Sequence, residues 1–217
     1  GDGDRIGVLD EQGSIIWGDV LLALYAEQVA KTHPGAKIIF EVKCSMGLIE
    51  RLKELGLEPI MYKTGHSNLK VKMKETDADM ACEVSGHIFF KHRYFGYDDA
   101  IYASARLIEL LAQENKKASE LLADVPRYFS TPEMRVEIAS DEEKFKIARK
   151  AADYFKKHYD VLDVDGVRIM FGDGWGLVRA SNTEPSLVLR CEANTQGRLE
   201  MIRELLESEI RAAQADL

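Results

Sequence analysis

The chain has 217 residues, 46% of them hydrophobic and 30% charged, with a net charge of −8. This composition can fill one large core or two small ones and excludes disorder; the acidic balance, without a basic patch, argues against nucleic-acid and membrane-surface partners. The three cysteines, Cys44, Cys82 and Cys191, form no CxxC pair, which disfavours a disulfide framework or zinc site and fits a reducing cytoplasm.

Ile6 to Leu9 is a short apolar run, Gln12-Gly13 a turn, and Ser14 to Trp17 the returning strand of a hairpin. Gly18-Asp19 offers an N-cap to a helix carrying Leu21, Leu22, Leu24, Tyr25 and Val29, which Pro34-Gly35 ends. Lys37 to Val42 reads as a strand, Leu48 to Leu55 as a helix, Pro59 to Tyr62 as a strand and Leu69 to Glu75 as a short helix. Ala78 to Ala81 leads into another strand, and Asp98-Asp99 caps a helix with Ile101, Leu107, Ile108 and Leu111 on its apolar stripe. Alternation at this spacing predicts a mixed, mostly parallel sheet with flanking helices, whose ligands bind beyond the carboxyl ends of the strands.

The pattern breaks between Pro126 and Pro132, where Ser130 and Thr131 complete a linker. Beyond it, Met134 to Ala139 reads as a strand, and Ser140 with Glu143 as a capping box for a helix through Tyr159. Val167 to Phe171, Trp175 to Arg179 and Ser186 to Glu192 read as strands, with a turn at Asp165-Gly166, and Leu199 to Ile210 as the final helix. The expectation is a small α+β domain with an antiparallel four-stranded sheet and its helices on one face. No apolar run approaches the ~18 residues of a membrane span. No signal peptide is recognised, and the start at Gly1 rather than Met reads as a piece of a longer polypeptide.

Several segments carry chemistry-bearing side chains. Asp2-Gly3-Asp4-Arg5 is either an acidic, flexible terminus or a pair of carboxylates converging on a hard cation, with Arg5 suited to an approaching anion. Lys43 follows a strand, where a site residue and a surface lysine are equally open readings. Lys63-Thr64-Gly65-His66-Ser67 also follows a strand, and the helix start after it suits an anion. In Glu83-Val84-Ser85-Gly86-His87, an extended backbone would turn Glu83, Ser85 and His87 to one side, a set suited to vicinal hydroxyls; a solvated edge strand is the plainer reading. Arg179-Ala180-Ser181-Asn182-Thr183-Glu184-Pro185 joins two strands and is either a polar turn or an anion-binding nest of backbone N–H groups with an arginine fork.

In this order, these segments resemble the α-D-phosphohexomutase superfamily, and most closely its bacterial phosphomannomutase/phosphoglucomutase family. The resemblance runs over essentially the whole chain and includes Ile88 to Tyr102 and Ser186 to Arg190. It implies a four-domain enzyme moving a phosphoryl group between C6 and C1 of mannose or glucose through a 1,6-bisphosphate. Residues 1–9 would then be the remnant of a metal loop and first strand region, and 10–126 a third, sugar-recognition domain. Residues 127–133 would be a linker and 134–217 a fourth, phosphate-binding domain. Asp2 and Asp4 would be ligands of Mg2+. Arg5 would lie beside a phosphoserine supplied by missing N-terminal domains, because no Ser-His-Asn-Pro type motif occurs here. Lys43 would act near the reacting phosphoryl group, and His66 would contact substrate. Glu83 and Ser85 would read O3 and O4, and His87 would be a substrate contact and candidate acid/base. Arg179, Ser181, Asn182 and Thr183 would hold the phosphate that does not react. Cys82 stands where the family has glycine. The partners implied are mannose or glucose 1- or 6-phosphate and the hexose 1,6-bisphosphate. The chain alone is expected to be inactive; the alternative is a non-catalytic phosphosugar-binding module.

Overall fold

A computed structural model describes residues 2–215. Gly1, the first residue of the Gly-Asp-Gly-Asp-Arg motif, and the last two residues lie outside the described residues. The chain divides into two compact units, Gly1–Arg127 and Tyr128–Leu217.

The first unit opens with a short antiparallel hairpin, β1 (Val8–Leu9) and β2 (Ile15–Ile16). There follow α1 (Gly18–Thr32), β3 (Lys37–Glu41), α2 (Met46–Glu54), β4 (Glu58–Tyr62), α3 (His66–Thr76), β5 (Met80–Cys82), β6 (Ile88–Phe90), α4 (Ala100–Glu114) and α5 (Ala118–Leu121). The sheet order is β4-β3-β5-β6; β4 and β5 run parallel to β3, and β6 antiparallel to β5. This is the expected mixed sheet. Strand periodicity sorts its two faces. Ile38 and Phe40 pack with Met80, Cys82, Ile88 and Phe90 against apolar residues of α1, α2 and α4. Ile39, Ala81 and Phe89 face the other way, onto Leu69 and Met73 of α3. Because β4 lies on one side of β3 and β5 on the other, the chain reverses direction across the sheet at β3. The crevice beyond the carboxyl ends of β3, β4 and β5 is the switch point at which such sheets bind ligands.

Local details depart from the sequence reading. Asp19 is not the cap of α1: Trp17 holds that position, and the buried Asp19 accepts a hydrogen bond from the Ser45 backbone N–H at 2.9 Å. Residues 83–87 are not extended; they form the turn between β5 and β6, closed by Gly86 N–H to Glu83 O at 3.1 Å and Glu83 N–H to His87 O at 3.0 Å. Ser85 therefore stands at the exposed tip, while Glu83 and His87 form the two feet.

The second unit contains β7 (Phe129–Ser130), β8 (Met134–Glu137), α6 (Asp141–His158), β9 (Asp160–Leu162), β10 (Val167–Met170), β11 (Gly174–Ala180), β12 (Ser186–Ala193) and α7 (Gln196–Ala215). All strand pairings are antiparallel, in the order β7-β12-β11-β10-β9, with β8 also on β12. The class is as expected, but the sheet has six strands instead of four. β7, read as linker, and β9, to which the sequence pattern assigns no element, are too short to show a period-two pattern and exist through pairing with β12 and β10. Ile147, Ala151 and Phe155 of α6 and Leu199, Ile202, Leu206 and Ile210 of α7 share one core with the sheet.

Gly86 fixes the start of the chain against the first unit. Its φ is +97°, and a Cβ there would lie 2.3 Å from the Ile6 carbonyl oxygen. Its own carbonyl accepts the Ile6 N–H at 3.0 Å. Gly86→Ala is expected to lower stability by about 1–3 kcal/mol through the strained φ alone. Urea unfolding measures this, and a variant as stable as the parent contradicts the tight approach.

Candidate functional site

The three parallel strands β3, β4 and β5 deliver functional residues at their carboxyl ends. Lys43 lies two residues past β3, with its ammonium 3.6 Å from Glu41 Oε2. His66 opens α3 directly after β4, half-exposed, with Gly65 at the N-cap. Glu83 and His87 flank the β5–β6 turn, 3.7 Å apart from Oε2 to Nε2. The His66 and His87 rings stack with centroids 5.3 Å apart.

Two buried carboxylates tie these loops together. Glu41, the last residue of β3, is fully buried. It accepts the Thr64 hydroxyl at 2.6 Å and the Val84 N–H at 3.0 Å, besides facing Lys43. Glu83 accepts the Gly65 N–H at 2.6 Å. The loops after β3, β4 and β5 are thus cross-linked through side-chain oxygens where the backbone ladders have ended. Burial pushes the Glu41 carboxyl above its ordinary range; Lys43, Thr64 and Val84 oppose the shift and Glu83 adds to it.

A third carboxylate organises the histidines. Asp98 Oδ2 lies 2.9 Å from His87 Nδ1 and 3.2 Å from His66 Nδ1, while Oδ1 accepts Lys70 Nζ at 3.0 Å. Partial burial pushes Asp98 up, but hydrogen bonds from Lys70, the backbone and His87 outweigh it and hold the carboxyl below its ordinary range. His66, His87 and Asp98 have the donor types of a metal site. Here the Lys70 ammonium, also 3.3 Å from His66 Nδ1, already supplies the positive charge. Asp99, its sequence neighbour, is the true cap of α4 through the Tyr102 N–H.

The Asp2–Arg5 segment runs beside this group. Gly3 O accepts the Ala100 N–H at 2.9 Å, and Asp4 Oδ2 is 3.8 Å from His87 Nδ1. Arg5 is exposed, with Nε 3.8 Å from Asp4 Oδ1. Contact with the Asp4 carboxyl is the main cause holding Asp2 below the ordinary carboxylate range. As hard oxygen donors two residues apart, Asp2 and Asp4 fit part of the oxygen shell of a divalent ion.

In the second unit, Arg179, the penultimate residue of β11, is buried, with Nε 3.1 Å from Asp165 Oδ2. Its Nη2 is buried with no acceptor among the described residues. The following loop is not the expected array of free N–H groups. The Thr183 and Glu184 N–H groups turn to the buried Ser181 hydroxyl at 3.4 and 3.3 Å. Asn182 and Thr183 present their side chains to solvent. The geometry therefore brings Asp2, Asp4, Lys43, His66, Glu83 and His87 into one neighbourhood, places Ser85 at a turn tip and Arg5 at the exposed start, and carries Arg179, Ser181, Asn182 and Thr183 in the other unit. Glu41, Asp98 and Lys70 were missed. One sequence signal existed: a glutamate between Phe40 and Val42 in a largely apolar run.

Burial of Glu41 predicts a pH signature. With its folded pKa raised, the wild type is favoured below the unfolded value, 4.5, and loses that advantage as pH rises from there through the folded pKa. Urea unfolding at pH 4 and pH 7 should show the stability gap shifting toward Glu41→Gln at the higher pH. A pH-independent gap contradicts the assignment.

All three cysteines are buried, and none is in a disulfide among the described residues. No helix among the described residues is long and apolar enough to cross a membrane.

Comparison with known proteins adds the following. Residues 17–129 match the family model described as phosphoglucomutase/phosphomannomutase, alpha/beta/alpha domain III. Residues 114–208 match the phosphoglucomutase/phosphomannomutase C-terminal domain. The chain is 45% identical over 217 residues to a phosphomannomutase/phosphoglucomutase of Pseudomonas aeruginosa, covering 100% of this chain and 47% of that protein. A crystal structure of a phosphoglucomutase/phosphomannomutase family protein from Burkholderia thailandensis superposes with a TM-score of 0.90 at 42% identity, over 99% of this chain and 45% of that one. An Aspergillus fumigatus N-acetylphosphoglucosamine mutase, solved with GlcNAc-6P and magnesium, shares the fold with a TM-score of 0.69 at 20% identity, over 97% of this chain and 50% of that one. The chain spans about half the length of the curated relatives it matches.

Proposed function

The chain belongs to the phosphoglucomutase/phosphomannomutase family, and from that premise we propose that it is the sugar- and phosphate-binding half of a mutase interconverting the 1- and 6-phosphates of mannose or glucose. The observation that carries this reading is the meeting of Glu83, His66 and His87 beyond the carboxyl ends of β4 and β5, the parallel strands on either side of β3. A carboxylate can accept two vicinal hydroxyls at once, and flanking imidazoles fix the ring's orientation. Glu83 would take O3 and O4 with Ser85 closing over them, which leaves the C2 configuration unread and admits both sugars.

The first unit would serve as the third domain of the family and the second as the fourth, with the opening residues as the tail of a metal loop. Arg179, with its unsatisfied buried nitrogen, and Asn182 and Thr183 on the loop beyond it would anchor the phosphate that does not react. Ser181 would shape that loop from within and meet the phosphate through its hydroxyl.

Asp2 and Asp4 would hold Mg2+, as hard oxygen donors suit it, and the fold relative from Aspergillus was solved with that ion. When bound, the ion offsets negative charge at the transferring phosphoryl group. Lys43, oriented by Glu41, would add positive charge there and take part in proton transfer. His87, held by Asp98, would donate or accept a proton at the reacting sugar oxygen. Arg5 would face the phosphoserine, which the N-terminal domains would supply.

Isothermal titration of this chain with mannose 1-phosphate and glucose 1-phosphate should show binding of both. Glu83→Gln should weaken each by about tenfold, the size of a lost hydrogen bond to a charged group. Equal binding by the variant contradicts the role of Glu83. In a coupled assay the chain alone should show no turnover; turnover would contradict the division of labour between the halves.

A further inference from the structure

Lys144 lies in the first turn of the 18-residue helix α6. Its neighbours Glu142, Glu143, Phe145 and Lys146 are exposed, yet Lys144 is 3% exposed. Its ammonium ends beneath the loop after β11. It donates to Ser181 O at 2.9 Å, Glu184 O at 2.8 Å and Asp141 Oδ1 at 2.6 Å. A lysine ammonium has three N–H donors, and all three are used. Two of the acceptors are neutral carbonyls from opposite ends of one short loop.

This arrangement costs more than a packed apolar side chain would, because the ammonium gives up its water. What it provides is specific to the loop. Both end carbonyls are drawn inward, so Asn182 and Thr183 between them face solvent. Just past the loop, Pro185 O accepts the Ile138 N–H at 2.9 Å, which ties the same stretch to the segment between β8 and α6. Asp141, the carboxylate partner, is 72% exposed, so water screens it more than the ammonium it faces. A positive charge therefore persists under the loop, on the inner side of Asn182 and Thr183.

We propose that Lys144 is a positioning residue for the phosphate subsite: it clips the Ser181–Glu184 loop into its anion-accepting shape and adds a fixed positive charge beneath it. The inference rests on reading that loop as a phosphate site. It adds a residue from a different element, about forty positions earlier in the chain, as judged from the hydrogen-bond separations of 37 and 40 residues.

The test is a titration of the whole chain with inorganic phosphate and, separately, with mannose 1-phosphate, followed through the backbone amide resonances of Ser181 to Glu184. In the wild type these amides should shift with both ligands. Lys144→Met should weaken both by about tenfold. Asp141→Asn, which removes the opposing carboxylate, should tighten both by about twofold; Glu142→Gln, which removes a neighbouring carboxylate paired with Lys146 instead, controls for a general loss of negative charge and should not produce that gain. If folded Lys144→Met binds within twofold of the wild type, the proposal is overturned. If Lys144→Met fails to fold, Asp141→Asn decides: binding tighter than that of Glu142→Gln supports the proposal, and binding no tighter overturns it. If the wild-type loop amides shift with neither ligand, the phosphate reading of the loop itself falls. The clip then stands or falls on whether Lys144→Met displaces those amides in the free chain.

Discussion

The candidate site of the first unit depends on carboxylates buried where hydrogen-bonded strands give way to loops. A parallel strand leaves its last backbone groups without ladder partners, and the loops after three such strands have no sheet to order them. Glu41 and Glu83 fill that gap: one oxygen takes Val84 N–H, another Thr64 Oγ1, another Gly65 N–H. Each bond joins segments far apart in sequence. Burying a carboxylate is costly unless every lone pair finds a donor. The same requirement makes the loops rigid relative to one another: a loop that moved would strand a buried oxygen. Preorganisation of this kind lets binding energy go to the ligand instead of to ordering the site.

Asp98 extends the principle outward. Lys70 holds its charge on one oxygen, and the other orients two histidines that stack face to face. Asp19 does the same on the inner side, where it takes the Ser45 N–H and so pins the turn that carries Lys43. In the second unit the sign is reversed. A buried lysine, not a carboxylate, collects the loop's carbonyls. Where the outward-facing groups would meet hydroxyls, the organiser is an anion; where they would meet phosphate, it is a cation.

Much of this was legible in the sequence because it is local. Apolar runs separated by turn residues gave the strands, and the charged or hydroxyl-bearing segments directly after them marked the site without any tertiary information. What was not legible depends on distant partners. Glu41 sits inside the strand read from Lys37 to Val42 and carries no local mark of its role; its partners Thr64 and Val84 arrive from two other loops. Asp98 looked like half of a capping pair, and only Asp99 proved to be the cap. The alternation of Glu83, Ser85 and His87 suggested an extended segment, but Gly86 adopts a positive φ and folds it into a turn. β7 and β9 are pairs made by their neighbours, with no pattern of their own to read.

The most direct measurement of the central idea is amide hydrogen exchange at Gly65 and Val84. Both lie outside regular strands, so unsupported loop amides would exchange quickly. The account predicts protection comparable to that of the interior amides of β3, because each donates to a buried carboxylate oxygen. Exchange at the rate of open loops would show that Glu41 and Glu83 do not hold the site together.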